Sequence, residues 1–197
     1  MKTADRLATL EFSKIRLLSG KVAEMQAQGK DMHNFTIGQP DFATPDYIIE
    51  ACYKAMKDGF TTYAGYAGPL NFRQAIADKY ERENHLKFSP EQVISTCGAA
   101  QAAYLVLTSF LNPGDEILIP NPMYNIYDNI ATICGATVKK YALKEENDFQ
   151  IDLKEMASLI NDKTKIIVIC SPSNPIGGVL TKENLEGLAE IVKDKDL

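Results

Sequence analysis

Three short runs in this chain combine the residue types needed to hold a planar, anionic ligand. The first is Cys97-Gly98-Ala99-Ala100-Gln101-Ala102, directly after the apolar stretch Val93 to Thr96. Small residues at a strand-to-helix junction leave backbone N–H groups accessible, and the helix dipole adds partial positive charge, a combination that favours phosphate. The run is neither GxGxxG nor a P-loop, because those glycine and lysine spacings are absent. An ordinary tight turn packed by alanines is the competing reading. The second run, Asn121-Pro122-Met123-Tyr124-Asn125-Ile126-Tyr127, places two tyrosines just past another apolar strand, where an aromatic can stack on a planar ring. Its competing reading is simple packing of two tyrosines at a helix start. The third, Ser171-Pro172-Ser173-Asn174-Pro175-Ile176-Gly177-Gly178, follows a wholly apolar strand. Its prolines and glycines fix the backbone, so Asn174 becomes a rigidly held carboxamide able to donate and accept. Both X-Pro bonds in it are candidates for the cis form.

Other chemistry has less to stand on. Cys52, Cys97, Cys134 and Cys170 are far apart in sequence, without the paired spacing of zinc or redox motifs, and read as buried free thiols. His33 and His85 have no second ligand at metal spacing, so no metal site is expected. The formal net charge of -5 and the interspersed signs argue against nucleic acid or an anionic membrane as partner. No apolar run approaches the roughly 20 residues of a membrane-spanning helix. Met1 to Thr9 carries charges and no apolar core of a secretory signal, which makes a cytoplasmic protein the expectation.

The elements that must position the three runs are legible from periodicity. Apolar residues at three and four residue steps predict a helix from Ile15 to Gln28, closed by Gly29. Met32 to Ile37 reads as extended, Gly38-Gln39-Pro40-Asp41 as a turn, and Pro45 as the opening of a helix that ends before Gly59. Thr61 to Gly68 (TTYAGYAG) is a loop, and Pro69 to Asn84 is again helical. Strands then alternate with helices: strand Val93 to Thr96 and helix Ala99 to Leu111, strand Glu116 to Pro120 and helix Met123 to Cys134. Strand Thr137 to Tyr141, helix Leu153 to Ile160, strand Lys165 to Cys170 and helix Lys182 to Lys193 continue the pattern. Asp152 with Glu155, and Thr181, stand at capping positions. Such alternation predicts an α/β fold, a mostly parallel sheet with helices on both faces.

Together with Ile37-Gly38-Gln39-Pro40-Asp41-Phe42, these runs resemble the class I and II aminotransferases of pyridoxal 5'-phosphate (PLP) fold type I. IGQPDFATP, YAGYAGPLNFR, CGAAQAAYL, NPGDEILIPNPMY and SPSNPIGGV occur in that family's order and at its spacings. The resemblance implies that residues 1–45 form an N-terminal helix and substrate-contacting segment, and that 46–197 form the first part of a three-layer, PLP-binding large domain. It implies that Gly98, Ala99 and Ala100 hold the cofactor phosphate, that Tyr124 stacks on the pyridine ring, and that Asn174 binds the ring's phenolic oxygen. Gly38 then approaches the substrate α-carboxylate, and Tyr63 reaches the cofactor phosphate of a partner subunit, so a homodimer is implied. Ala100 lacks a hydroxyl that many members carry, and Ile176 stands where a threonine is common.

The same resemblance places the Schiff-base lysine, an aspartate for the pyridinium nitrogen, a second tyrosine and a carboxylate-binding arginine later than Leu197. No lysine present takes the catalytic position; Lys14, after Ser13, reads as solvated within the N-terminal helix. The strands that would lie between Val93 to Thr96 and Lys165 to Cys170 are also expected later. The expectation is therefore the N-terminal portion of an enzyme that transfers an amino group between an amino acid and a 2-oxo acid, inactive by itself. A PLP-dependent carbon-sulfur β-lyase of the same fold, or a noncatalytic binding or dimerisation module, are the alternatives.

Overall fold

The structure is a computed structural model describing residues 2–10 and 14–197; the side chain of Lys14 falls outside it. Packing divides the chain into two units, Lys14–Cys97 and Gly98–Leu197, the latter including the stretch ahead of Lys14.

In Lys14–Cys97 the predicted helices form where their punctuation allows. Helix α1 (Lys14–Ala27) is ended by Gly29 at φ +78°, with Lys30 N donating to Met25 O. Helix α2 (Asp46–Lys57) follows Pro45 and stops at Gly59, φ +86°. Helix α3 (Leu70–Asn84) follows Pro69 and is closed by His85 in the left-handed region. Within this unit Ala77 is buried, and Tyr80 meets Phe88 edge to face at 5.5 Å. Helix α2 has no buried residue: Ile48, Ile49, Tyr53 and Met56 are all exposed. Cys52 on α2 is exposed with them, and so is Cys97. That corrects the expectation of four buried thiols, because spacing identifies an apolar face but not whether anything covers it. Cys134 and Cys170 are half-buried, and none of the four cysteines is in a disulfide among the described residues.

Met32 to Ile37 is extended but enters no ladder among the described residues; Ser19 Oγ and Thr36 Oγ1 hold it at 2.6 Å. Val93 to Thr96, predicted as a strand, is likewise in no ladder. Its backbone is tied locally instead, Ser95 N and Oγ both donating to Ala67 O at 2.9 and 3.2 Å.

In Gly98–Leu197 the alternation yields a parallel sheet of order β2-β1-β3, where β1 is Glu116–Asn121, β2 Thr137–Ala142 and β3 Thr164–Ile167. β1 pairs with β2 from Glu116↔Thr137 to Asn121↔Ala142, and with β3 across an irregularity at Glu116/Ile117. Successive side chains of a strand face opposite ways. Ile117 and Ile119 accordingly pack with Leu107 and Leu111 of the α4 end and with Ile130 and Ala131 of α5, where α4 is Ala99–Phe110 and α5 Ile126–Ile133. Leu118 points the other way, into a cluster with Tyr141, Met156 of α6 (Leu153–Leu159) and Leu188 of α7 (Lys182–Val192). Helices thus cover both faces, as a β1 with Ile117, Leu118 and Ile119 all fully buried requires.

The two predicted caps form. Asp152 accepts from Lys154 N and Glu155 N, and Thr181 Oγ1 accepts from Asn184 N. Two boundaries differ from the sequence reading by more than one residue. Helix α5 starts at Ile126 rather than Met123, which leaves Tyr124 ahead of the helix. β3 ends at Ile167 rather than Cys170, and just beyond it the Val168 carbonyl accepts the Tyr141 hydroxyl at 2.7 Å.

Candidate functional site

Because the three strands are parallel, their carboxyl ends define one edge, and the connections leaving that edge carry the chemistry-bearing runs. Helix α4 returns to the start of β1 through a short loop, so its N-terminus stands at the end where β1 finishes. Ala103 of α4 packs in the same cluster as Ile126 and Tyr127.

Gly98 caps α4 at φ +85°, ψ 167°, a conformation essentially restricted to glycine. It offers no side-chain acceptor to the helix, and no described residue accepts from the N–H of Ala99 or Ala100. A Cβ added at Gly98 would meet nothing within 4 Å, so the approach to these donors is open. Two N–H groups aimed outward from a helix of 12 residues form an anion cradle.

Tyr124 follows β1 and is 44% exposed. Its sequence neighbour Tyr127 behaves differently. It packs into the α4/α5 cluster, and burial, with the nearby Cys170 thiol, raises its pKa. The packing explanation therefore applies to Tyr127, and not to Tyr124.

After β3, the 171–180 connection closes on itself: Ser173 N donates to Gly178 O, Gly177 N to Ser173 O, and Leu180 N to Ser171 Oγ. The peptide bonds before Pro172 and Pro175 are cis, as is the one before Pro122. Asn174 is exposed on this frame, and its carboxamide makes no hydrogen bond with a described residue. Ser173 is the residue that sequence reasoning passed over. It is 7% exposed, and its hydroxyl is buried without a partner among the described residues. The only signal for it was its place in SPSNP, since a lone serine in a turn carries no pattern of its own.

Gly98, Ala99, Ala100, Tyr124 and Asn174 thus come to one sheet edge. The Ala99 and Ala100 N–H groups, an exposed tyrosine and a carboxamide with no partner among the described residues form a donor set that fits a phosphorylated aromatic cofactor. A cavity of about 650 Å³ in this unit is lined by Lys144, Gln150, Asp152, Glu183 and Asn184 among others and includes none of them. Gly38 and Tyr63 belong to the other unit. Gly38 is exposed at the centre of a turn closed by Gln39 N donating to Ile37 O at 3.2 Å. Tyr63 is fully exposed and borders a cavity of about 340 Å³ with Phe60, Gly65 and Leu70. Among the described residues no three His, Cys, Asp or Glu side chains cluster as metal ligands, and no helix is long and apolar enough to cross a membrane.

The family model for aminotransferase class I and II matches residues 30–197. The chain belongs to the class I and II aminotransferase family. The aspartate aminotransferase of Bacillus subtilis (strain 168) is 34% identical over the whole chain, which covers 50% of that protein. The solved aspartate aminotransferase of Thermus thermophilus with maleate superposes with a TM-score of 0.95 at 34% identity, over 100% of this chain and 52% of that one. An alanine aminotransferase from Pyrococcus furiosus superposes at 0.93 with 31% identity, over 98% and 49%. The chain spans about half the length of the curated relatives it matches. The α/β architecture with its parallel sheet is that of the fold type I aminotransferases, a family of enzymes for which PLP is the implied cofactor.

Proposed function

We propose that this chain supplies the phosphate-, ring- and oxygen-binding side of the PLP site in an aminotransferase moving an amino group between an amino acid and a 2-oxo acid. What supports this is that the Gly98 turn, Tyr124 and Asn174 all belong to connections at the carboxyl end of a parallel sheet. PLP, when bound, supplies the electron sink and carries the amino group. The residues of this chain bind and orient. The N–H groups of Ala99 and Ala100, with the α4 dipole, hold the phosphate dianion. Tyr124 lies against one ring face and fixes its plane. Asn174 donates from its amide to the phenolic oxygen, stabilising negative charge there. Gly38, without a side chain, lets backbone approach the substrate α-carboxylate. Tyr63 extends to the phosphate in the partner subunit of a homodimer, a role suited to a side chain that is fully exposed in its own unit.

We assign no catalytic residue to these 197 residues; the Schiff-base lysine belongs to the length that relatives have beyond this match. Four free thiols fit the reducing cytoplasm as location. The test is product analysis on the full-length protein with PLP. A 2-oxo acid formed together with an aminated acceptor supports the proposal. Pyruvate, ammonia and a thiol released from a thioether amino acid would overturn it in favour of β-elimination.

A further inference from the structure

Arg73, in the first turn of α3, donates from Nε to Gly68 O at 3.1 Å and from Nη1 to Pro90 O at 2.6 Å. One half-buried guanidinium therefore joins the end of the Thr61–Gly68 loop to the segment that runs on toward Gly98. Ser95 adds a second tie, with its N–H and hydroxyl both on Ala67 O. Gly68 makes the close approach possible: it sits at φ +92°, and a Cβ there would stand 1.7 Å from Ser95 Oγ. The other end of the loop is anchored where Phe60 N donates to Ala55 O. Between these anchors the loop has two glycines and no regular structure, and it carries Tyr63 fully exposed. A loop of that composition, left untied, must be ordered before its tyrosine can bind anything, and ordering costs conformational entropy.

We propose that Arg73 is a positioning residue for the cofactor. By pinning Gly68 and Pro90 together it presets the loop, so that Tyr63 meets the partner subunit's cofactor phosphate without first being ordered. Arginine suits the task because one planar guanidinium directs N–H groups at two carbonyls at once. The inference rests on the reading of Tyr63 given under the proposed function.

The test is a double-mutant cycle read as the PLP dissociation constant of the full-length apoprotein, for Tyr63→Phe, Arg73→Met and the two together. Tyr63→Phe removes a hydrogen bond to a charged oxygen and is expected to weaken PLP by about tenfold or more. Arg73→Met is expected to weaken it comparably, and the double variant to be no weaker than Tyr63→Phe alone. Losses that simply add would show that Arg73 supports the fold in general, and would overturn the proposal. If Arg73→Met does not fold, Ser95→Ala, which removes one hydrogen bond of the same clasp, takes its place in the cycle with the same expectation. If Tyr63→Phe leaves PLP affinity unchanged, the reading of Tyr63 falls and takes this inference with it. If Tyr63→Phe weakens PLP and the clasp variants do not, this inference falls by itself.

Discussion

Asn184 and Ile151 exchange a complete amide pair: Ile151 N donates to Asn184 Oδ1 at 3.0 Å, and Asn184 Nδ2 donates to Ile151 O at 2.8 Å. Both residues are buried, and the pair fastens the first turn of α7 to the connection between β2 and α6. Gln150 reinforces it, donating to Val179 O and accepting from Thr181 N. This connection is irregular, with Asp148 and Phe149 at positive φ, so its backbone groups depend on side-chain partners.

Replacing Asn184 by leucine keeps the approximate volume but strands a buried N–H and a buried C=O. The expected loss is about 2 to 6 kcal/mol of unfolding free energy, from two unsatisfied groups. Chemical denaturation of the full-length protein measures it. A loss below about 0.5 kcal/mol would mean that water replaces the carboxamide at both atoms.

Tyr141 offers a second isolated hydrogen bond, from its hydroxyl to the Val168 carbonyl. Burial, and then the neighbouring Cys170 thiol, hold its pKa well above the ordinary value of 10.0. The neutral phenol is thus favoured by the fold. Its contribution is complete below pH 10, where folded and unfolded chains are both protonated. It is lost as pH rises further, because the unfolded phenol ionises first and releases its proton. Unfolding free energy should fall by up to about 1.4 kcal/mol per pH unit above 10 from this group. Tyr141→Phe should flatten that slope while costing about 1 kcal/mol at neutral pH.

At the opposite end of the sheet, Glu116 bonds Lys139 Nζ at 2.7 Å and accepts from Asn161 Nδ2 at 2.8 Å. The Lys139 contact is the main reason its pKa lies below the ordinary 4.5. A lowered carboxyl contributes stability above its unfolded pKa, and loses it as pH falls through the folded one. Glu116→Gln should therefore lower the melting temperature more at pH 7 than at pH 3. Equal shifts at both pH values would show that packing, not charge, is what Glu116 provides.

How much of this could be read from the chain depends on where each signal is stored. Helix ends were marked by Gly29, Pro45, Gly59, Asp152 and Thr181, because caps and φ preferences are local properties. The edge carrying Gly98, Tyr124 and Asn174 followed from strand-helix alternation, since parallel pairing sends successive connections to the same side. The strand at Val93 to Thr96 did not form a ladder, because pairing depends on neighbours that local sequence does not specify. For the same reason the apolar surroundings of Cys52 in sequence suggested a core position, yet Cys52 is exposed and α2 has no buried residue. Ser173 and the Arg73 clasp were invisible. Their partners lie across turns or well along the chain, and no periodicity records such contacts.

Gly98 allows stability and binding to be separated at one position. A side chain there meets no atom within 4 Å, so its cost is conformational and not steric. Forcing a non-glycine residue into φ +85°, ψ 167° costs on the order of 1 to 3 kcal/mol. Gly98→Ala should therefore destabilise the apoprotein by that amount, or let the cap relax to negative φ and turn the N–H groups of Ala99 and Ala100 away from the anion. Only the relaxed cap predicts weaker PLP, measured by titrating the full-length apoprotein. Inorganic phosphate competition distinguishes them: a relaxed cap loses phosphate affinity together with PLP, whereas a strained but intact cradle keeps both near the parent values and shows only the lower melting temperature. If the variant is neither less stable nor weaker for either ligand, the Gly98 turn is an ordinary tight turn and the phosphate assignment is wrong.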